Sequence, residues 1–320
     1  MSKKINPTKL SQQVDTSIKK NKKNFMKIYD CFIYFDEDLL LDVRLNIMDK
    51  FVDKFVIVES KFSHRGELRE PTFNINKFKK FEKKIEYILL DKNPSNLHEI
   101  KKNDKLINEK IIINGNLREF YQRNSILKGL KSASDEDLIL ISDVDEIPFL
   151  ENIDFNEIQN KLVFFNQIFC CYKFNLFSKM KWCGSRMVKK KKLINPQWLR
   201  DIKDRNYPMW RIDTLFSKKK YNNIKFIENG GWHFSYLKNP KGVQNKLKSI
   251  RHHIEYDLNP LGESKIENLI KNRKLIYNYR ADQRSENKFE NNETLNILEI
   301  KKLPDYIQKN ISLFSDWLEK

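Results

Sequence analysis

Two aspartates one residue apart, Asp143 and Asp145, follow directly on the apolar run Leu138, Ile139, Leu140 and Ile141, and Glu146 and Pro148 close the segment. A short, bounded apolar run suits a strand buried on both faces. Side chains two apart on an extended chain point the same way, so both carboxylates are expected to face one divalent cation at the carboxyl end of that strand. A hard ion such as Mn2+ or Mg2+ keeps positions for water and phosphate oxygens, and its chemistry there would be to neutralise a diphosphate leaving group. Asp-x-Asp alone also describes a solvated loop with a helix cap; the strand before it and Pro148 after it favour the metal site.

Other residues could serve the same chemistry. Arg123 and Asn124 lie on a helical segment just before the aspartates, where a guanidinium can reach a nucleotide base or phosphate or simply face solvent. Glu59 ends an apolar run and can accept from ribose hydroxyls, as acidic residues do in dinucleotide folds, or act as a cap. His233, between Trp232 and Phe234, reads as a packed aromatic-cluster histidine or as a third metal ligand. Asp213, Glu228, Glu255 and Asp257 are candidate general bases that sequence alone does not rank.

These residues need a scaffold, and the chain is long enough to build one. It has 320 residues, 40% hydrophobic and 12% aromatic with 22 Phe, which excludes a disordered chain. The net charge of +18 suits nucleic acid, an anionic membrane surface or phosphorylated substrates, but the lysines are spread along the whole chain. That dispersal reads as a lysine-rich surface rather than a polyanion groove, and no nucleic-acid partner is expected. Cys31, Cys170, Cys171 and Cys183 show neither zinc-ligand spacing nor the density of a disulfide scaffold, which fits a reducing compartment. No apolar window approaches a membrane span, and the first 24 residues lack the apolar core of a signal peptide, so a soluble cytoplasmic protein is expected. Weak contact of that basic arm with anionic lipid is compatible with this.

After a disordered basic arm over residues 1–24, strand and helix signals alternate. Strands are expected at 27–35, 55–58 and 85–90. A helix carrying Leu40, Val43 or Arg44, and Ile47 separates the first two, and a short helix around Phe78 and Phe81 precedes the third. Residues 92–110 read as a polar irregular insertion, 117–134 as a helix feeding the aspartate strand. The resulting βαβαβαβ order predicts a mostly parallel, Rossmann-like sheet with right-handed crossovers. No GxGxxG or Walker sequence is present. Beyond it the pattern predicts aromatic-rich extended segments over 162–177, basic loops around Trp182 and Trp198, the run Gly230-Gly231-Trp232-His233-Phe234, and helices at about 241–254 and 263–277.

Several motifs, taken in order, resemble glycosyltransferase family 17, which contains the β-1,4-mannosyl-glycoprotein β-1,4-N-acetylglucosaminyltransferases. They are Tyr29-Asp30-Cys31-Phe32 with residues 38–45, then 55–59, 118–124 and 142–148, then Trp182-x-Gly184-x-Arg186 and Gly231-Trp232-His233-Phe234-Ser235-Tyr236, together spanning about 28–256. The resemblance implies an α/β protein of GT-A type, with helices on both faces of the sheet and an appended acceptor-side region. Its domains would be a GT-A unit over 25–260 and a C-terminal helical extension over 261–320 packed on it. It implies an inverting, metal-dependent transfer of a sugar, by family default N-acetylglucosamine, from a UDP-sugar to a glycan or lipid-linked saccharide acceptor. On that pattern Asp143 and Asp145 hold the metal and diphosphate, His233 becomes a third ligand or a diphosphate contact, and Arg123, Asn124, Glu59 and Arg186 belong to the donor site. Glu255 is the first choice for the base that deprotonates the acceptor, with Glu146 and Asp213 as rivals. The chain is expected to differ from the animal enzymes in lacking a membrane anchor, so their acceptor is not carried over.

Two other classes compete. A haloacid-dehalogenase-like phosphatase also opens an Asp-x-Asp after an apolar strand, but three strand–helix units precede it here and Ile147-Pro148 follows. A non-enzymatic nucleic-acid-binding module would use the basic charge with interleaved aromatics, as over 174–186.

Overall fold

The computed structural model describes residues 26–101, 103–151, 153–158, 161–250, 253–279, 288–289 and 293–320. The expected arm, 1–24, lies outside them. Strand β1 (Ile28–Tyr34), helix α1 (Asp38–Met48), β2 (Lys54–Ser60), a 3-10 segment (Ile75–Lys84) and β3 (Ile85–Leu90) fall where the sequence places them. Helix α2 (Ile107–Asn124) follows, then a 3-10 turn (Ser125–Leu130), β4 (Leu138–Asp143), β5 (Glu146–Pro148) and α3 (Phe155–Ile158). The second half runs β6 (Leu162–Cys171), β7 (Leu176–Lys189), α4 (Pro196–Asp201), β8 (Ile224–Ile227), β9 (Gly231–Ser235), α5 (Pro240–Ser249), α6 (His253–Leu258), α7 (Glu263–Lys271), β10 (Asn296–Ile297) and α8 (Asp305–Lys309).

The strands form one sheet in the order β3-β2-β1-β4-β7-β6-β9-β5, with β8 paired to β6 and β10 to β7. The mostly parallel expectation is not met across the sheet: the first half is parallel and β6 pairs in parallel with β8 and β9, but the other second-half pairings are antiparallel. β1 pairs in parallel with β2 and β4, and β2 with β3, whereas β7 runs antiparallel to both β4 and β6, and β5 antiparallel to β9. The sheet is therefore mixed. The reason is connection length: a parallel pair needs a crossover of a dozen or more residues, while only residues 172–175 join β6 to β7. Tyr172, at φ 67°, makes that turn.

Alternation along the first strands fills both faces of the sheet. Ile28, Phe32, Phe55, Ile57, Leu138 and Leu140 enter one core with Leu41, Leu45 and Met48 of α1, and with Ile307 and Phe314 near the C-terminus. Their neighbours Tyr29, Cys31, Val56, Val58, Ile139 and Ile141 enter a second core with Ile126, Leu130 and Leu199. Helices thus cover both faces. A third core, around Phe169, Tyr172, Val243, Leu247, Tyr256 and Ile266, joins α5, α6 and α7 to β6.

Four local expectations are corrected. Helix α2 begins at Ile107, inside the segment read as an irregular insertion, because buried Asn114 pins that insertion: its side chain accepts from His98 N at 2.7 Å and donates to His98 O at 2.8 Å. The same helix ends at Asn124 and tightens into the 3-10 turn, where Gly129 lies so close to β2 that a Cβ there would stand 2.5 Å from Val56 Cγ1. Trp182 sits within β7, not in a basic loop. The two C-terminal helical segments are shorter, dividing into α5 and α6, and ending at Lys271.

One buried ion pair joins these layers. Arg44 of α1 and Asp30 of β1 are both inaccessible to solvent, and the guanidinium donates to both carboxylate oxygens, at 2.8 and 2.5 Å. Its remaining nitrogen, Nη1, donates to the carbonyls of Asp143 (3.2 Å), Val144 (3.4 Å) and Glu146 (2.6 Å). Removing one partner of such a pair leaves an uncompensated buried charge. Arg44→Met should cost ~3–5 kcal/mol in folding free energy, measured as a lowered urea midpoint; an unchanged midpoint would show that the pair does not support the fold.

Candidate active site

In the first half the chain passes from β1 outward to β2 and β3, then returns to place β4 on the other side of β1. This reversal is a topological switch point, and in open α/β sheets ligands bind beyond the carboxyl ends of the strands there. A cleft of about 410 Å3 occupies that position, lined by Ile33 and Tyr34 at the end of β1 and by Asp143, Val144 and Asp145 after β4. Arg123 of α2, Gln197 and Arg200 of α4, His233 of β9 and Lys246 of α5 complete its polar wall.

The aspartates reach the cleft by a different geometry from the expected one. Asp143 is the last residue of β4, but Val144 and Asp145 form a turn into β5. Arg44 holds that turn from below through its carbonyls. Glu146 Oε2 also accepts from Asp143 N, at 3.0 Å. Both carboxylates therefore line one cleft because a buried clamp sets the turn.

Each aspartate faces cations of the chain. Asp143, whose side chain is 34% exposed, accepts from Arg123 Nη2 at 2.9 Å and Arg200 Nη2 at 3.1 Å. Burial opposes its ionisation, but the Arg200 and Arg123 guanidiniums outweigh that and hold the carboxyl below the usual carboxylate range. Asp145 accepts from Lys246 Nζ at 3.1 Å, and His233 Nε2 lies 3.6 Å from its other oxygen. Burial again opposes ionisation, and Lys246 and His233 drive the carboxyl well below its ordinary range. Lys246 responds in the opposite direction: burial disfavours its charge, but Asp145 and Glu37 hold it above the usual lysine range.

Aromatic rings form the other wall. Trp182 stacks on His233 at 4.3 Å, and Phe169 stacks on both; Trp182, His233 and Tyr279 line the cleft. His233 Nδ1 is buried without a hydrogen-bond partner among the described residues. The histidine thus belongs to an aromatic stack and to the cleft at once.

Among the described residues, no group of three or more His, Cys, Asp or Glu side chains is arranged to hold a metal ion. Asp143, Asp145 and His233 are therefore not gathered in advance as a three-ligand site. Asp143 and Asp145 are the two carboxylates that would hold a Mg2+-like ion, which takes its other ligands from water or phosphate oxygens. The charge fits such an ion. Glu37, Glu119, Asp143, Asp145 and Asp201 line the cleft against Arg123, Arg200 and Lys246, five carboxylates against three Arg and Lys cations.

The remaining sequence candidates fall elsewhere. Glu59 is fully buried and accepts from Arg69 Nη1, Thr72 N, Phe73 N and the Tyr87 hydroxyl, at 2.8 to 3.1 Å; it does not line the cleft. Asn124 accepts from Gln197 N at 3.0 Å, and Arg123 Nη1 donates to Gln197 Oε1 at 2.6 Å, so the pair moors α4 to α2. Arg186 Nη1 donates to the carbonyls of Leu199, Arg200 and Ile202 at 2.5 to 2.7 Å, the cation placement that satisfies a helix C-terminus. Burial lowers Arg186 to about 10. Glu146 lies beneath the cleft, bound by Arg200 at 2.6 and 2.9 Å and by Trp182 Nε1 at 2.8 Å. Asp213 pairs at the surface with Arg211 and Lys220, and Glu255 accepts from Tyr277 and Lys288; neither lines the cleft.

Sequence reasoning missed Arg200 and Lys246, the two cations that meet the aspartates from the second half of the chain. Both sit on helices announced by an Asn-Pro start, Asn195-Pro196 and Asn239-Pro240, whose Asn side chains cap the helix at Trp198 N and Gly242 N. That signal locates the helices without saying which basic residue faces inward.

A model of the family described as Glycosyltransferase family 17 matches residues 4–182, more than half of the chain. The chain belongs to that family. Membership of family 17 carries glycosyl transfer, and with it a sugar donor and an acceptor. Arg123, Asp143 and Asp145 lie inside the matched span; Arg200, His233 and Lys246 lie beyond it. None of the curated proteins compared matches the chain. Among solved structures, the crystal structure of HddC from Yersinia pseudotuberculosis is similar at 8% identity over 64% of this chain and 92% of that one, with a TM-score of 0.30, a likeness too slight to transfer anything.

Two outcomes follow from this packing. Gly184 leaves no room for a side chain, since a Cβ would lie 2.4 Å from Gln167 Oε1 and 2.6 Å from Glu146 Cδ. Gly184→Ala should cost ~1–3 kcal/mol of stability, seen in thermal denaturation, with Trp182 fluorescence shifted as Glu146 moves. A lowered carboxylate pKa contributes stability that is full above the unfolded-state value and lost only as pH falls through the folded one. Asp145→Asn should therefore destabilise by ~1–3 kcal/mol, equally at about pH 7 and about pH 5; a penalty that fades between them would contradict the lowered value.

Proposed function

We propose that this family 17 protein transfers a sugar from a UDP-sugar, by inversion, to a saccharide hydroxyl. The observation that carries the reading is the convergence of Arg123, Arg200, Lys246, Asp143 and Asp145 on one cleft at the switch point of the sheet. Two mobile phosphates with adjacent negative charges match cations fixed on three different helices, and a guanidinium offers paired donors to phosphate oxygens. The parallel half of the sheet, with its carboxylates at the end of β4, supports a GT-A-type reading of the donor side. Trp182 and Tyr279 offer flat surfaces on which a base or sugar ring can stack.

When bound, Mn2+ or Mg2+ held by Asp143 and Asp145 would supply positive charge to the departing diphosphate. Arg200 and Lys246 already lie against those carboxylates, so the donor phosphates would draw the same two cations onto the leaving group. In the single displacement, an acceptor oxygen bonds to the anomeric carbon as the carbon–oxygen bond to phosphate breaks, and a carboxylate takes the hydroxyl proton. Glu37 and Asp201 line the cleft and replace Glu255 as the bases to test. N-acetylglucosamine is the family default for the sugar, and a glycan or lipid-linked saccharide the acceptor class. Four free cysteines support a reducing, cytoplasmic setting.

Isothermal titration with UDP and a panel of UDP-sugars tests the reading. Binding should strengthen with Mn2+, slow UDP release should follow, and Asp145→Ala should abolish it. Lys246→Ala should weaken UDP affinity by ~1–3 kcal/mol, the range for charged hydrogen bonds. A panel showing neither binding nor turnover would sink the proposal.

A further inference from the structure

Between α4 and β8 the chain makes an excursion, 203–223, whose base is closed by hydrogen bonds while its tip is apolar and bare. Lys203 N donates to Lys219 O at 2.7 Å, Tyr207 N to Tyr221 O at 3.4 Å, and Trp198 Nε1 to Lys218 O at 3.0 Å. At the tip, Arg211 donates to both oxygens of Asp213, at 2.7 and 2.8 Å. Yet Met209, Trp210, Ile212, Leu215 and Phe216 are 70% to 88% exposed. Of the sixteen large apolar side chains exposed among the described residues, five fall in these eight positions, so this is one patch and not scatter.

Charge selects the occupant. Lys203, Arg205, Arg211, Lys218, Lys219 and Lys220 stand against Asp204 and Asp213, a local excess of four positive charges. A second copy docking the same patch would set like charges face to face, and so would the chain's own basic N-terminal segment. An anionic surface is favoured instead. The tip presents Trp, Phe, Leu and Met flanked in the sequence by Lys and Arg, the composition that settles at a membrane interface. Lysines around such a tip add attraction to anionic headgroups.

We propose that residues 207–220 form a membrane-docking tip that inserts Met209, Trp210, Leu215 and Phe216 into the headgroup region of an anionic bilayer. The excursion leaves directly from α4, three residues after Arg200, so docking ties the cleft wall to the membrane surface. The proposal is independent of which sugar or acceptor the cleft takes.

The test is co-sedimentation of the full-length protein with phosphatidylcholine vesicles, with and without phosphatidylglycerol at about one part in four. Wild type should sediment with the anionic vesicles. A variant combining Met209→Ser, Trp210→Ser, Leu215→Ser and Phe216→Ser should bind them at least about tenfold less at the same salt, with unchanged thermal midpoint. As a check that needs no multiple variant, brominated lipid should quench wild-type tryptophan fluorescence more than that of Trp210→Phe. Absence of vesicle binding would overturn the proposal. So would equal binding by the variant, which would place attraction on charge elsewhere, and so would a wild-type dimer that the variant converts to monomer. Binding of single-stranded oligonucleotide, but not of vesicles, lost with the same substitutions would assign the tip to nucleic acid and equally overturn it.

Discussion

The arrangement depends on one buried arginine. Arg44 reaches from α1 under the carboxyl end of β4, satisfies Asp30 with two of its nitrogens, and spends the third on three carbonyls of the turn that carries Asp145. An isolated charge in that interior would be prohibitively unfavourable, so Asp30 and the carbonyls are not ornaments but conditions for its presence. In return the guanidinium imposes a fixed geometry on a turn whose side chains must face the cleft. A hydrophobic residue in its place could fill the volume but could not hold the carbonyls.

Above that clamp, electrostatics is organised in layers. Glu146 is sealed beneath the cleft and, through Arg200, couples the turn to α4; Arg200 then meets Asp143 at the surface of the cleft. Arg123 joins Asp143 to Glu119 and Gln197, so α2 and α4 share one network. Lys246 performs the corresponding role for Asp145 from α5. Each carboxylate is ionised because a cation stands beside it, despite burial that by itself favours the neutral acid. On the proposed reading, donor phosphates would take over cations that the carboxylates now hold, an exchange of partners instead of a creation of charge.

Second-half strands explain why the sheet is mixed and why the site is deep. The β6–β7 hairpin places β7 antiparallel against β4, which brings Trp182 into the cleft wall and Arg186 against the end of α4, and β9 sets His233 opposite Glu146. The same excursion chemistry that closes the base of residues 203–223 leaves its apolar tip outside every core, and the contrast with Phe169 or Phe234, which are wholly buried, marks that tip as a surface built for contact.

The sequence by itself determined the first half of the fold, since both-face burial of β1, β2 and β4 and the helical stripe of α1 are local periodicities, read without knowledge of distant contacts. It also located Asp143, Asp145 and Arg123, because an apolar strand that ends in acids is legible as a run of residues. Only the tertiary structure decided that Asp145 lies in a turn held by Arg44, that Glu146 is a buried anchor, that Glu59 and Arg186 are committed to backbone and loop, and that Arg200 and Lys246 complete the cleft. The Arg44, Arg200 and Lys246 contacts join residues from about 50 to about 100 positions apart, and even Glu59 and Arg186 find their partners ten or more positions away, beyond the reach of a local pattern. In a chain with 61 Lys and Arg, one inward-facing cation leaves no local signature, because what distinguishes it is the carboxylate it meets across the fold.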